Sequence, residues 1–431
     1  TYMYGLQLQP GEEGTLGCGL GQRMSTGSKG IARPTIEIEN TGERHTIDGV
    51  ELEFVYVLDT EAPVEIMVWI PQLKAFCTAE DMTHNMHNLQ TLRGAKVRNG
   101  LLWSKAVDTA IERYGNQVEV SFSTHHWPTW GNERIVDYWE AQRDMYRYLH
   151  DQTLHLANRG LTPDEIAEEM KLPASLSSQF NCRGYYGTLS HNVKAQYDLY
   201  FGWFNGNPAH LNPLPPSELG AKYVEAIGGA DKVLEVAKAS YAKGEYRWVA
   251  TLLDNLVFAE PDNMEARQLL ADTYTQLGYQ AESGPWRNFY LTGARDLFKK
   301  DVPYTSQLIN DGVLAQMDMG TLLDYCAIQL NGEKAAGKKA VININFTDTK
   351  EKVMLMLNNG VLNHRLDSQD EKADLTLEIE KMNFVKLFFG RTDLQTLLKT
   401  DKVKTTGNTQ AMDVICSAYE PADPNFKIVL P

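Results

Sequence analysis

The sequence contains neither an HEXXH nor an HxHxDH run, so no self-contained zinc signature is present. No apolar stretch approaches the roughly 18 residues of a membrane-spanning helix. The five cysteines (Cys18, Cys77, Cys182, Cys326 and Cys416) are odd in number and far apart, which excludes a CxxC knuckle and a dense disulfide framework. Positive charge is scarce: 41 Lys and Arg stand against 56 Asp and Glu, a net charge of −15. That balance argues against nucleic acid as a partner, but leaves an anionic small substrate open where positive charge is focused locally. The glycine-rich stretch GTLGCGLGQRMSTGSKG (14–30) lacks GxxxxGK[ST] spacing and no helix follows it, so it reads as a loop near a site mouth. Thr1 is not an initiator methionine, so the lack of a visible signal peptide leaves the compartment undecided.

At 431 residues, 43% hydrophobic and 23% charged, the chain is expected to hold two or three globular domains. Residues 1–147 read as α/β. Strands TIEIE and VELEFVYV come first, and two more flank Pro71. A helix is then expected from Thr78, with Thr78 and Asp81 as its capping box, followed by a helix over 101–114 and the strand VEVSFS. Residues 148–302 read as helical. A long amphipathic helix is stopped by Gly160, and another starts at Thr162-Pro163. An aromatic, Gly-punctuated stretch (RGYYGTLSHN through GWFNGNPA) comes next, and then a tetratricopeptide-like pair. Gly244 and Gly278 are spaced by the roughly 34-residue period of that repeat. Residues 303–431, after DVPYTSQL, read as a small α+β domain with strands VININF, VMLMLN, VLNHRL and ADLTLEI.

Chemistry concentrates between Asp59 and His125. Glu61, Glu80 and His125 each follow a strand-like run, and two carboxylates with an imidazole suit zinc-like metals. The competing reading is a solvated turn acid, a helix first-turn acid and a half-buried histidine. His84 and His87, in HNMHN, fall at i, i+3 and would share a helix face, with packing against the sheet as the plainer reading. The guanidinium forks of Arg93 and Arg98 match a tetrahedral oxyanion, and Asn88 can donate an amide hydrogen bond to one. His191 and Tyr197, in the aromatic stretch, can supply a proton donor and a hydrogen bond, unless they belong to an aromatic core.

The stretches TEAP, AEDMTHNMHNLQTLRGAKVR, HHWPTWGN, YLHDQTLHLANRG, RGYYGTLSHN, GWFNGNPA and LGYQAES…WRNFYLTGA resemble the zinc-dependent alkylsulfatases (SDS hydrolases), and the resemblance covers essentially the whole chain. It implies the C-terminal portion of a metallo-β-lactamase-like domain over 1–147, an all-α dimerisation domain over 148–302 and an α+β sterol-carrier-like domain over 303–431. It also implies a binuclear zinc site with Glu61, Glu80 and His125 as three ligands, the rest coming from an HxHxDH segment upstream of this sequence. Asn88, Arg93, Arg98 and Tyr197 would hold the sulfate, and His191 is the candidate general acid.

The activity so implied is hydrolysis of alkyl sulfates to alcohol and inorganic sulfate by a zinc-activated water. Attack at carbon inverts that centre and attack at sulfur retains it; these residues serve either. A homodimer is expected, with an N-terminal catalytic segment as a further partner, no nucleic acid and no membrane span. A periplasmic or extracellular site is suggested by the resemblance alone. Met354, Met356, Phe384, Leu387 and Phe388 would line an apolar tunnel if the last domain carries lipid, or simply fill its core. Two rivals remain: a metallo-β-lactamase-like hydrolase of another ester, and a non-catalytic dimerisation and lipid-binding fragment.

Overall fold

Alternating burial along VELEFVYVL and VEIMVWI sets one face of a sheet inward, with Phe54, Val55, Val57, Met67 and Trp69 in the core. The computed structural model describes residues 2–21, 30, 32, 34–298, 310–423 and 426–431. It divides into two compact units, 1–25 with 36–300 and 427–431, and 26–35 with 301–426. Residues 22–29 of the glycine-rich stretch and the whole of DVPYTSQL lie outside the described residues.

The sheet of the first unit runs β1 (Arg44–Ile47), β2 (Val50–Leu58), β3 (Val64–Ile70), β4 (Ala75–Cys77), β5 (Val120–Phe122), β6 (Thr129–Trp130) in spatial as well as chain order. Only β4 and β5 pair in parallel. Their crossover carries α1 (Gly100–Tyr114), capped by the Asn99 side chain on the amides of Leu101 and Leu102. TIEIE is not a strand. The edge strand is RHTI instead, joined to β2 through Asp48 and Gly49, whose positive φ values (51° and 82°) make a tight hairpin turn.

The helix expected from Thr78 does not form either. Ala79 takes φ 48°, and the Thr78 hydroxyl donates to the Met82 carbonyl instead of capping Asp81. From Asp81 to Leu89 every residue but His84 is buried, polar Thr83, Asn85, His87 and Asn88 included. A helix buries one stripe, whereas this segment is enclosed on all sides and sends its backbone bonds outward. The Asn192 side chain bridges the Leu89 amide (2.8 Å) and the His87 carbonyl (2.9 Å). The Met86 amide donates to the Arg183 carbonyl, and Gln142 Nε2 to the Asn85 carbonyl.

Helices supply those partners. α2 (Asn132–Ala157) runs along the sheet and carries Gln142 and Tyr146; residue 147 lies inside it. α3 (Pro163–Glu169) opens on a capping box between Thr162 and Glu165, and α4 (Ala174–Ser177) and α5 (Leu189–Phe201) follow, the last bearing His191, Asn192 and Gln196. One core gathers Trp69, Phe76, Trp103, Trp139 and Tyr146 between sheet and helices. A separate core joins α6 (Pro216–Ile227), α7 (Ala230–Ala242), α8 (Tyr246–Ala259) and α9 (Met264–Gln280). α10 (Gly284–Asp296) packs on α9.

The second unit has α11 (Asp311–Gln316), α12 (Met319–Ile328) and α13 (Gly332–Ala335), then strands β7 (Ala340–Phe346), β8 (Lys352–Asn358), β9 (Val361–Leu366) and β10 (Leu375–Ile379). α14 (Lys381–Phe388), α15 (Leu394–Lys399), β11 (Val403–Gly407) and α16 (Gln410–Cys416) complete it. The sheet order is β11-β10-β7-β8-β9, with β10 and β7 parallel. Phe384, Leu387 and Phe388 are core residues, with Phe384 set edge-on to Phe346 at 5.7 Å, whereas Met354 and Met356 alternate with the core residues Val353, Leu355 and Leu357 and so lie on the other face of the sheet.

Asn192→Ala leaves two buried backbone groups of the 81–89 segment without partners, and each such group costs about 1–3 kcal/mol. Urea unfolding should show a loss of roughly 2–4 kcal/mol, with faster amide exchange at Leu89. An unchanged midpoint would mean that the segment is held otherwise.

Candidate metal and anion site

β2, β4 and β5 point the same way, so their C-terminal ends meet at one edge of the sheet. Glu61, Glu80 and His125 each stand three residues beyond a strand's last residue (Leu58, Cys77 and Phe122). The loops after β4 and β5 are tied together: Thr78 N donates to Phe122 O, and Thr124 N to Ala79 O. As a result His125 Nε2 lies 2.8 Å from Glu80 Oε1. His87 Nε2 approaches the same oxygen at 3.3 Å, and the ligand atoms of Glu61, Glu80 and His87 all lie within 4.8 Å of one another.

Arg98 builds the other side of the site. It is 7% exposed. Its Nη2 meets Glu61 Oε1 and its Nε donates to the Glu61 carbonyl at 2.5 Å. Its Nη1 donates to Asn88 O and Oδ1 (2.8 and 2.5 Å), and Gln196 Nε2 holds the Arg98 carbonyl. The fork of Arg98 thus grips Glu61 and Asn88 together. Arg93 is exposed and donates its Nε to the Tyr4 hydroxyl (3.3 Å). Tyr197 is half-buried in α5 and stacks on Phe201 at 4.8 Å, one residue from Gln196. Glu61, Glu80, His125, Asn88 and Arg98 are brought together; no hydrogen bond ties Tyr197 to them among the described residues.

The charges are balanced in three ways. Burial pushes the Glu80 carboxyl up, but hydrogen bonds from His125 and His87 outweigh it and hold the group well below the usual carboxylate range. His125 is pushed up by its bond to Glu80, whereas burial pushes His87 down. Behind them Glu65, whose Oε1 accepts from Glu80 N at 3.0 Å, and the fully buried Asp81 are both pushed up, first by burial and then by neighbouring acids. Glu65, Gln196 and Asn192 carried no motif in the sequence, and Asp81 carried only that of a helix cap. The sign of them is the polar density of DMTHNMHN, too rich in buried hydrogen-bonding groups for a core helix.

His191 stands apart. Trp286 Nε1 donates to its Nδ1 at 2.9 Å, which leaves the proton on Nε2, and that atom is buried without a partner among the described residues. Burial pushes its pKa down to about 4, so the imidazole is neutral near pH 7.

The alkyl sulfatase dimerisation family model matches residues 162–300, and the alkyl sulfatase C-terminal model matches 307–431. The chain is 45% identical to a linear primary-alkylsulfatase of Pseudomonas sp., over 100% of its own length and 64% of that protein. It is 30% identical to a linear primary-alkylsulfatase of Pseudomonas sp. strain ATCC 19151, covering 98% of this chain and 81% of the relative. Among solved structures, the stereoselective inverting sec-alkylsulfatase of Pseudomonas sp. superposes with a TM-score of 0.96 at 39% identity, over 100% of this chain and 68% of that one. The chain therefore spans just under two thirds of the first of these curated relatives.

Arg98→Gln strands Glu61 at a site where both side chains are mostly buried, and should cost roughly 3–5 kcal/mol by urea unfolding. Glu61→Gln/Arg98→Gln should recover most of that loss; a double variant no better than the single would show that Arg98 serves Asn88 instead. For His191, the unfolded chain binds the proton first, near 6.5. Its contribution to stability is therefore complete above about 6.5 and declines as pH falls toward about 4, where the folded ring also titrates. Imidazole NMR should show a neutral Nε2–H tautomer from pH 5.5 to 8; a midpoint near the ordinary histidine value would remove this assignment.

Proposed function

The chain belongs to the alkylsulfatase family, and from that premise we propose that the protein hydrolyses alkyl sulfate esters to an alcohol and inorganic sulfate. The observation that carries this reading is one carboxylate oxygen, Glu80 Oε1, within reach of two imidazoles and beside Glu61, with the Arg98 fork adjoining. A binuclear zinc site fits these donors: Glu61, Glu80 and His125 would hold metal, and His87 orients Glu80 from behind. Zinc supplies a bound water acidic enough to be a nucleophile near neutral pH. The remaining ligands would come from an HxHxDH segment that completes a metallo-β-lactamase-like domain around the six-stranded sheet.

The residues of this chain then divide the work. Arg98 fixes Glu61 and, through Asn88, the anion-binding corner. Arg93 and Asn88 hold the sulfate oxygens, where fixed donors neutralise charge gathering on the departing group. Tyr197 adds a hydrogen bond from α5. His191 acts as a neutral donor, offering Nε2–H to the ester oxygen rather than an imidazolium proton.

A homodimer is part of the reading. Residues 206–218, inside the span of the dimerisation family model, are exposed throughout, and Trp203, Leu211 and Leu214 present 74%, 58% and 42% of their surface. Such an apolar arm suits burial against a second copy. The second unit is read as a sterol-carrier-like domain.

The test is metal content with product release. Whole protein should hold about two zincs per site and release alcohol and sulfate in equal amounts from dodecyl sulfate. Chelation should abolish the release, and Glu80→Gln or His125→Ala should lower the bound zinc. Zinc retention with turnover of a phosphate or carboxylic ester, and none of any alkyl sulfate, would overturn the substrate assignment.

A further inference from the structure

Just outside the carboxylate cluster the chain turns sharply at HHWPTW. His125 directs Nε2 to Glu80 Oε1, and the next residue, His126, takes φ 70°, a region that non-glycine residues use sparingly. This reversal sends the two histidines in opposite directions. His126 turns to the Gly19 carbonyl (3.2 Å) and lies beside the His84 ring (5.8 Å). Trp127 follows, 56% exposed, and its ring meets Phe180, 53% exposed, at 6.1 Å. Phe180 in turn meets Tyr185 at 5.5 Å, and His84 is set edge-on to Trp127 at 4.9 Å.

These rings come from three separate stretches of chain, and their support is rigid. Asn181, next to Phe180, receives Gln142 Nε2 on its carbonyl at 2.5 Å and donates its own amide to the Tyr138 carbonyl at 3.3 Å. Arg183 O accepts from Met86 N, and Gly187 N donates to Met86 O, so the 180–187 segment is pinned to the buried loop that carries His87. Arg183 lies over the Tyr185 ring at 5.7 Å and is paired with Glu282 at 2.7 Å. Large rings held firmly with open faces mark a binding surface for an apolar group.

We propose that Trp127, Phe180 and Tyr185 form a ledge that binds the alkyl tail of the substrate and sets its chain-length preference. The inference rests on the sulfate-ester reading given above. Its occupant is an unbranched hydrocarbon chain bearing an anionic head, because the ledge begins two residues from His125. An amphiphile whose head lies against the metal and anion site thus has its tail directed over the rings. Strain at His126 is the local device that places charge on one side of the turn and aromatic surface on the other.

The test uses whole protein and n-alkyl sulfonates of six to ten carbons, which carry the same kind of head but are not hydrolysed. They are titrated below their micelle concentrations and followed by calorimetry and tryptophan fluorescence. Affinity should rise roughly 3- to 4-fold per methylene, the increment expected for burying a CH₂. In Trp127→Ala/Phe180→Ala the rise should fall below about 2-fold per methylene while the six-carbon ligand binds nearly as before. Trp127→Phe/Phe180→Leu, which keeps apolar surface, should retain most of the slope and reports whether the site still folds. A full slope in the alanine double variant overturns the ledge. So does an unchanged slope accompanied by a loss of dimer in sedimentation, which would mean that the rings pack against a second copy. The underlying reading fails separately: alkyltrimethylammonium ions binding as tightly as sulfonates of equal length would reject the anionic head, while a ledge-dependent slope would still stand.

Discussion

Four carboxylates, Glu61, Glu65, Glu80 and Asp81, crowd the edge of one sheet, and the repulsion between them decides how the surrounding chain must be built. Each is relieved by a different means. Glu61 is gripped by the buried Arg98 fork, and Glu80 takes hydrogen bonds from His125 and His87. Glu65 and Asp81 are pushed toward their protonated forms, first by burial and then by a neighbouring acid, Asp81 for Glu65 and Glu61 for Asp81. A cation placed among these groups would neutralise Glu61 and Glu80 together, with His87 still bonded to Glu80 from behind. Local preorganisation of this kind is what makes strand ends useful for metal chemistry.

Holding His87 in that position goes with burial of the 81–89 stretch, and burial obliges every backbone group in it to find a partner. The helices after the sheet answer that demand. Asn192 and Gln196 lie one turn apart on α5 and hold the chain at two places, the first at His87 and Leu89, the second at the Arg98 carbonyl. Gln142 on α2 and the Tyr146 hydroxyl hold the middle. α2 and α5 are therefore part of the site's architecture, not just a cover for the sheet.

This division explains what could be read from the sequence. The positions of Glu61, Glu80 and His125 follow strand runs whose alternation is plain; Glu80 contacts His125, while the side chain that groups with Glu61 and Glu80 is His87, which the sequence placed on a helix face. The paired α8 and α9, the helix start at Thr162-Pro163 and strands β7 to β10 were likewise legible, because local periodicity and turn residues determine them. Two features were misread. The Asp48-Gly49 hairpin was passed over for TIEIE, although its turn residues carry the stronger signal. The segment from Thr78 has the residue types of a capped helix, yet its structure is imposed by distant partners, over a hundred positions away in the case of Asn192. Long-range polar contacts leave no period in the sequence, so Gln196, Trp286 and the Glu65–Asp81 pair were invisible there.

The turn beside the carboxylate cluster bears on the kind of molecule that the proposed function calls for. Between His125 and Trp127 the chain passes from a half-buried ring held against Glu80 to one more than half open to solvent, with a left-handed residue as the pivot. A small hydrophilic anion would use only the inner side of that pivot, and an apolar molecule only the outer. A ligand with a charged head and a hydrocarbon tail uses both. The head gains from fixed donors in a place of low dielectric, and the tail gains in proportion to its length. Specificity for such a molecule then needs no deep pocket, since the two halves of the turn select for two properties at once.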